Sequence, residues 1–245
     1  MKRAVSQDPG VRRLTTLGAC AVLANAAPAV SVLGAIGVGA PSRFGPIWLR
    51  AESHDGVALT FDDGPAPETY RILEKLSGLS IRATFFVSGC AVWRHPGIVA
   101  EMAERGHQVE THGMNHRHHI LHSPAWVHRD LTTSVSLLNE SGVIPRFVRP
   151  PYGQVALSTL ASARRLRLTP VLWSAWGREC ARSKDLSVEA RVVRNLRPGT
   201  IVLLHDSDQH CGPGSVDAVE RALPAIAKAL DALGLTPRRL DEILR

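Results

Sequence analysis

From Val57 onward the chain alternates short apolar runs with stretches of helical spacing, and its chemically notable polar side chains fall where the apolar runs end. Strand-like segments cover Val57–Phe61, Arg82–Ser88, His107–Thr111, Arg146–Arg149, Thr169–Trp173 and Thr200–His205. Between them, helical spacing covers Pro67–Leu79, Ile98–Arg105, Trp126–Glu140, Val155–Leu166, Val188–Leu196 and Val216–Leu233. Such a rhythm predicts an α/β fold on a parallel sheet, open or closed into a barrel. Asp62-Asp63, His112, Arg149, Trp173-Ser174 and His205-Asp206 all stand at the C-terminal ends of the runs. Both barrels and open parallel sheets build their sites at that edge. With no repeat or second linker after residue 50, residues 51–245 read as one domain behind an extension of residues 1–50.

Two acids at the mouth of a buried strand are costly unless a cation sits beside them. Gly64-Pro65 turns the chain directly after Asp62-Asp63. His112 and His116 are spaced i, i+4, which on a helical turn puts both rings on one face, close enough to bind one ion. One Asp and two His with an open position suit zinc or another divalent transition metal in a hydrolase.

The +7 charge of the 245-residue chain favours acidic partners such as cell-wall polymers or anionic lipid. Nucleic acid is not expected, since no recognition motif is present and only 5% of residues are aromatic. Lys2, Arg3, Arg12 and Arg13 precede an uncharged stretch, Leu14–Ala40. Ala24-Asn25-Ala26 within it offers a secretory cleavage pattern, while the whole stretch is long enough for an uncleaved membrane anchor. Arg12-Arg13 matches a twin-arginine signal loosely, and Leu17-Gly-Ala-Cys20 a lipoprotein box vaguely; a disordered or barrel-packing extension is the remaining reading. The expectation is export or membrane attachment through residues 14–40, and an extracytoplasmic location. Cys90, Cys180 and Cys211 leave an odd count after the leader. Cys180 and Cys211 fall in loops, compatible with one bridge in an exported protein or with buried free thiols.

Five ordered segments carry a more specific resemblance: Thr60–Pro65, His112–His116, Arg149-Pro-Pro-Tyr-Gly153, Trp173-Ser174 to Glu179, and Leu203-Leu-His205. Together they resemble the motifs of the polysaccharide deacetylases, the NodB-homology or carbohydrate esterase 4 family, over roughly residues 57–244. The resemblance implies a distorted (β/α) barrel and a metal site of Asp63, His112 and His116, with zinc the default and cobalt or another divalent ion the alternative. It implies Asp62 as the base acting on the attacking water, with Arg149 keeping it ionised and aimed. The Tyr152 N–H would help stabilise the oxyanion, and His205 would be the acid that protonates the leaving amine. Leu203 and Trp173 would bound a small pocket for the acetyl methyl.

This chain departs from the family pattern in two places. Gly113 follows the first histidine where Ser or Thr is usual, and Glu179-Cys180 stands for Asp-Trp. The family's Asp orients the acid histidine; Glu179 keeps the charge on a longer arm, and Cys180 removes an aromatic wall. The implied activity is metal-dependent removal of N-acetyl groups from N-acetylglucosamine in peptidoglycan or a chitin-like polymer. Its rivals are an O-acetyl esterase or small-amide amidohydrolase on the same fold, and a degenerate carbohydrate-binding protein.

Overall fold

The computed structural model describes residues 48–180 and 187–244. The leader segment 14–40 and Cys20 lie outside the described residues, and no helix among those described is long and apolar enough to cross a membrane. Eight strands are described: β1 (Gly56–Asp62), β2 (Thr84–Val87), β3 (Gln108–Thr111), β4 (Phe147–Val148), β5 (Thr169–Pro170), β6 (Ala175–Trp176), β7 (Ile201–His205) and β8 (Thr236–Pro237). They form one parallel sheet in the order β5-β4-β3-β2-β1-β7-β6. β8 pairs with β1 at Gly56 and Val57, below the Thr60–Asp62 stretch that β2 uses. The sheet curls into a half-barrel; Trp48 bridges to Val171 just after the edge strand β5, and Arg50 bridges to Thr200 just before β7.

The helices are α1 (Thr69–Gly78), α2 (Gly89–Arg94), α3 (Pro96–Glu104), α4 (Pro124–Glu140), α5 (Leu157–Arg165), α6 (Val188–Val193), α7 (Ser215–Ala232) and α8 (Leu240–Ile243). α1 buries Thr69, Ile72, Leu73 and Leu76, the one-face spacing of an amphipathic helix. Every residue of β1 is buried, as expected of a strand covered on both faces. Phe61 of β1 stacks on Phe85 of β2 at 5.0 Å, at the centre of the main core.

Several boundaries differ from the sequence reading. The strand expected over Thr169–Trp173 has only Thr169–Pro170 in the ladder. Val171 N–H still reaches the Val148 carbonyl at 2.9 Å, but Pro150 and Pro151 have no N–H to extend β4, and Leu172 N–H donates to Trp48 instead. The helix expected over Val188–Leu196 stops at Val193, where the Asn195 side chain takes the Arg191 carbonyl. α4 begins two residues earlier than its apolar spacing, because Ser123 caps it and Pro124 suits its first turn.

Candidate active site

The sheet brings the five motif segments to one edge. β1 ends at Asp62, level with Phe86 of β2 and His205 of β7, and β3 delivers His112. The i, i+4 expectation for His112 and His116 is corrected in one respect: the segment is an irregular loop bent at Met114-Asn115, not a helical turn. Gly113 has φ +80° and His116 φ +48°, and the carbonyls of Gly113 and Met114 accept from the free N–H groups of Gly89 and Cys90 at the start of α2. Asp130 on α4 completes the clamp, accepting from Met114 N–H at 2.9 Å and from Asn115 Nδ2 at 2.8 Å. A Cβ on Gly113 would stand 2.7 Å from Asp130 Oδ2, which accounts for glycine there. The two imidazoles converge through tertiary contacts instead, with ring centroids 5.1 Å apart.

His116 Nε2 lies 3.1 Å and His112 Nε2 3.5 Å from Asp63 Oδ1, and all three side chains are buried. His112 Nδ1 donates to the Arg149 carbonyl at 2.7 Å, so the proton sits on Nδ1 and Nε2 presents a lone pair. Burial pulls the His112 pKa down to about 4 despite the pull of Asp62, leaving the ring neutral near pH 7. Asp63 Oδ1 has no hydrogen-bond partner. A buried carboxylate oxygen facing the His112 Nε2 lone pair and the His116 Nε2 atom is what a divalent cation would satisfy, so these residues fit the metal that the sequence implies.

Asp62 and Arg149 flank this cluster. Arg149 is fully buried; its Nη1 donates to Asp62 Oδ1 and Thr60 Oγ1, both at 2.7 Å, and its Nη2 to the Leu172 carbonyl at 3.0 Å. The guanidinium also lies 4.1 Å over the Phe86 ring. Asp62 Oδ2 remains directed to the metal cluster, 3.9 Å from His112 Nε2.

On the other side stands His205. Its Nε2 is 3.9 Å from Asp63 Oδ2, and its Nδ1 donates to Glu179 Oε1 at 2.9 Å. The longer arm of Glu179 therefore reaches the histidine. Burial alone would lower the His205 pKa, but the Glu179 hydrogen bond and charge, with Asp63 and Asp62, push it up to about 9. Cys180 bonds to Cys211, the bridge alternative of the sequence reading, and its Sγ lies 3.5 Å from His205 Nδ1.

A cavity of about 260 Å³ joins these groups. Asp62, Asp63, His112, His116, Tyr152, Trp173, Leu203 and His205 line it, with Arg149 and Glu179 behind the wall. Tyr152 sits at φ +60° with its ring half exposed, and Gly153 beside it packs under Trp173, where a Cβ would meet Cη2 at 2.6 Å. Trp176, His210 and Cys211 also line the cavity and were missed in the sequence. Trp176 lies in the fourth segment, 6.0 Å edge-on to Trp173, and an aromatic count there could have flagged it. Nothing local marks His210.

The sequence model described as polysaccharide deacetylase matches residues 50–171. A chitooligosaccharide deacetylase from Bradyrhizobium is 34% identical over 196 residues, covering 76% of this chain and 90% of that protein. A solved peptidoglycan N-acetylglucosamine deacetylase superposes with a TM-score of 0.74 at 27% identity, over 81% of this chain and 92% of that one. A family pseudoenzyme from Bacillus anthracis shares the fold at a TM-score of 0.72 and 20% identity, over 84% of this chain and 69% of that one. Since an inactive relative has the same fold, activity has to be argued from the site rather than from the architecture. By sequence and by fold, the chain belongs to the polysaccharide deacetylase family.

Proposed function

We propose that the protein is a metal-dependent deacetylase that removes N-acetyl groups from N-acetylglucosamine units of an extracytoplasmic polymer, peptidoglycan or chitin-like. The observation that carries this reading is the placement of an arginine-held carboxylate and a glutamate-held histidine on opposite flanks of one Asp-His-His cluster. A divalent ion on Asp63, His112 and His116, zinc first and cobalt or another ion as alternatives, would polarise the acetamide carbonyl and acidify the attacking water. Asp62 takes the proton of that water, with Arg149 holding its carboxylate ionised and in place. The Tyr152 N–H, turned by its left-handed backbone, supports the carbonyl oxygen as it becomes negative. His205 enters protonated and gives its Nε2 proton to the sugar nitrogen as the C–N bond breaks, leaving a free amine and acetate. Leu203, Trp173 and Trp176 supply the apolar wall for the acetyl methyl.

The +7 charge suits an acidic wall polymer, and residues 1–50 supply the export signal or anchor. One observation favours a second reading. A cavity of about 260 Å³ is smaller than most ligand sites, which suits a small amide or a small acetyl ester better than a polymer chain. The test is acetate release from chitooligosaccharides and peptidoglycan, with and without zinc or cobalt, beside Asp62→Asn. Metal-dependent release lost in Asp62→Asn is expected. Release from O-acetyl or small-amide substrates alone would select the second reading, and no release from any of them with metal bound would return the degenerate-binding reading.

A further inference from the structure

The loop between β7 and α7 carries an imidazole that the reaction does not use. His210 stacks on His116 with ring centroids 3.9 Å apart and planes 14° from parallel. The two candidate histidine ligands differ in how their rings are held. His112 is oriented by its Nδ1–H bond to the Arg149 carbonyl. His116 Nδ1 is buried and has no hydrogen-bond partner. Ligating histidines ordinarily take their orientation from a bond at the second ring nitrogen, so His116 needs another source. Ring contact is what the structure offers: His210 on a parallel plane and Tyr152 tilted at 4.6 Å.

His210 is itself fixed from both directions along the chain. Cys211, the next residue, is bonded to Cys180, whose neighbour Glu179 is anchored on His205. The Asp208 side chain accepts from Gly214 N–H at 2.8 Å and from Val216 N–H at 2.9 Å, fastening the loop to the start of α7. A short loop pinned at these points has little freedom to withdraw the His210 ring.

We propose that His210, delivered by the Cys180–Cys211 bridge, is the positioning residue for His116, replacing by ring stacking the hydrogen bond that orients His112. The bridge thereby governs how firmly the site retains its metal. This rests on the metal-site reading above and is tested without reference to deacetylation. Full-length protein is loaded with cobalt, and the rate of metal loss to excess chelator is measured together with the melting temperature. His210→Ala speeds metal loss about tenfold or more, the usual effect of removing an orienting partner, with the melting temperature little changed. His210→Phe keeps a stacking ring without nitrogens and stays within about threefold of wild type. Opening the bridge with Cys180→Ser/Cys211→Ser matches His210→Ala, and adding His210→Ala to it causes no further loss. Metal loss at the wild-type rate in His210→Ala would overturn the proposal while leaving the metal site standing. His210→Phe behaving like His210→Ala would also overturn it, by showing that a ring nitrogen, not the stack, does the holding. Wild-type protein that takes up no cobalt would remove the metal-site reading, and this inference with it.

Discussion

Replacing Arg149 with methionine tests whether the buried ion pair behind the site is held together by charge. Arg149 has no solvent exposure, and Asp62 is 3% exposed, so neither partner can recover its interaction from water. The guanidinium supplies one bond to Asp62, one to Thr60 and one to the Leu172 carbonyl, at 2.7, 2.7 and 3.0 Å. Methionine fills much of the volume but leaves a buried carboxylate without its counter-charge, a loss of about 3–5 kcal/mol. Metal-free protein is the right material, since a bound cation would partly replace the missing charge. Urea unfolding followed by tryptophan fluorescence gives the free energy, with an unchanged slope showing that compactness is retained. Asp62→Asn introduced into Arg149→Met removes the orphaned charge, so the double variant should be more stable than Arg149→Met by at least about 1.5 kcal/mol. The reasoning fails if Arg149→Met lies within about 1 kcal/mol of wild type, or if the two substitutions simply add.

Three further outcomes follow from individual contacts. Glu179→Gln should lower kcat about 10-fold or more and move the alkaline limb of activity below the His205 pKa of about 9, because the charge that keeps the acid protonated is gone; a pH–rate profile identical to wild type would refute this. Glu110, whose burial raises its pKa to about 7 against the hydrogen bonds it accepts from Phe147 and Arg146, holds its proton more tightly folded than unfolded. Its contribution is full below pH 4.5, the unfolded value, and is lost as pH rises through about 7; His107, lowered by burial to about 4, acts oppositely. The stability of wild type relative to Glu110→Gln should therefore fall over that interval, and urea midpoints with a pH-independent difference would contradict it. Gly113→Ser places a Cβ 2.7 Å from Asp130 Oδ2 at φ +80° and should cost about 1–3 kcal/mol, read as a lower melting temperature.

How far the sequence could be read depended on the range of the forces involved. The βα rhythm, the buried β1 and the polar residues at strand ends follow from local periodicity and from the cost of leaving acids in apolar surroundings, so they were legible. Strand lengths were less so: β5 stops because Pro150 and Pro151 withdraw its partner's donors, a fact about a neighbouring strand. The His112–His116 spacing named two rings that do meet, but for the wrong local reason, since α2 and Asp130 hold that segment in an irregular bend instead of a helical turn.

The sequence by itself determined the fold class, the order of the elements and the inventory of chemical groups at the sheet edge, because alternating burial is written residue by residue. Only the tertiary structure decided that Glu179 reaches His205, that Cys180 meets Cys211, and that His210 lies on His116. Those contacts join residues 26, 31 and 94 positions apart, from Glu179 to His205, Cys180 to Cys211 and His116 to His210. No periodicity spans such distances. Their geometry is set by how the sheet curls and where its loops land, which no single segment encodes.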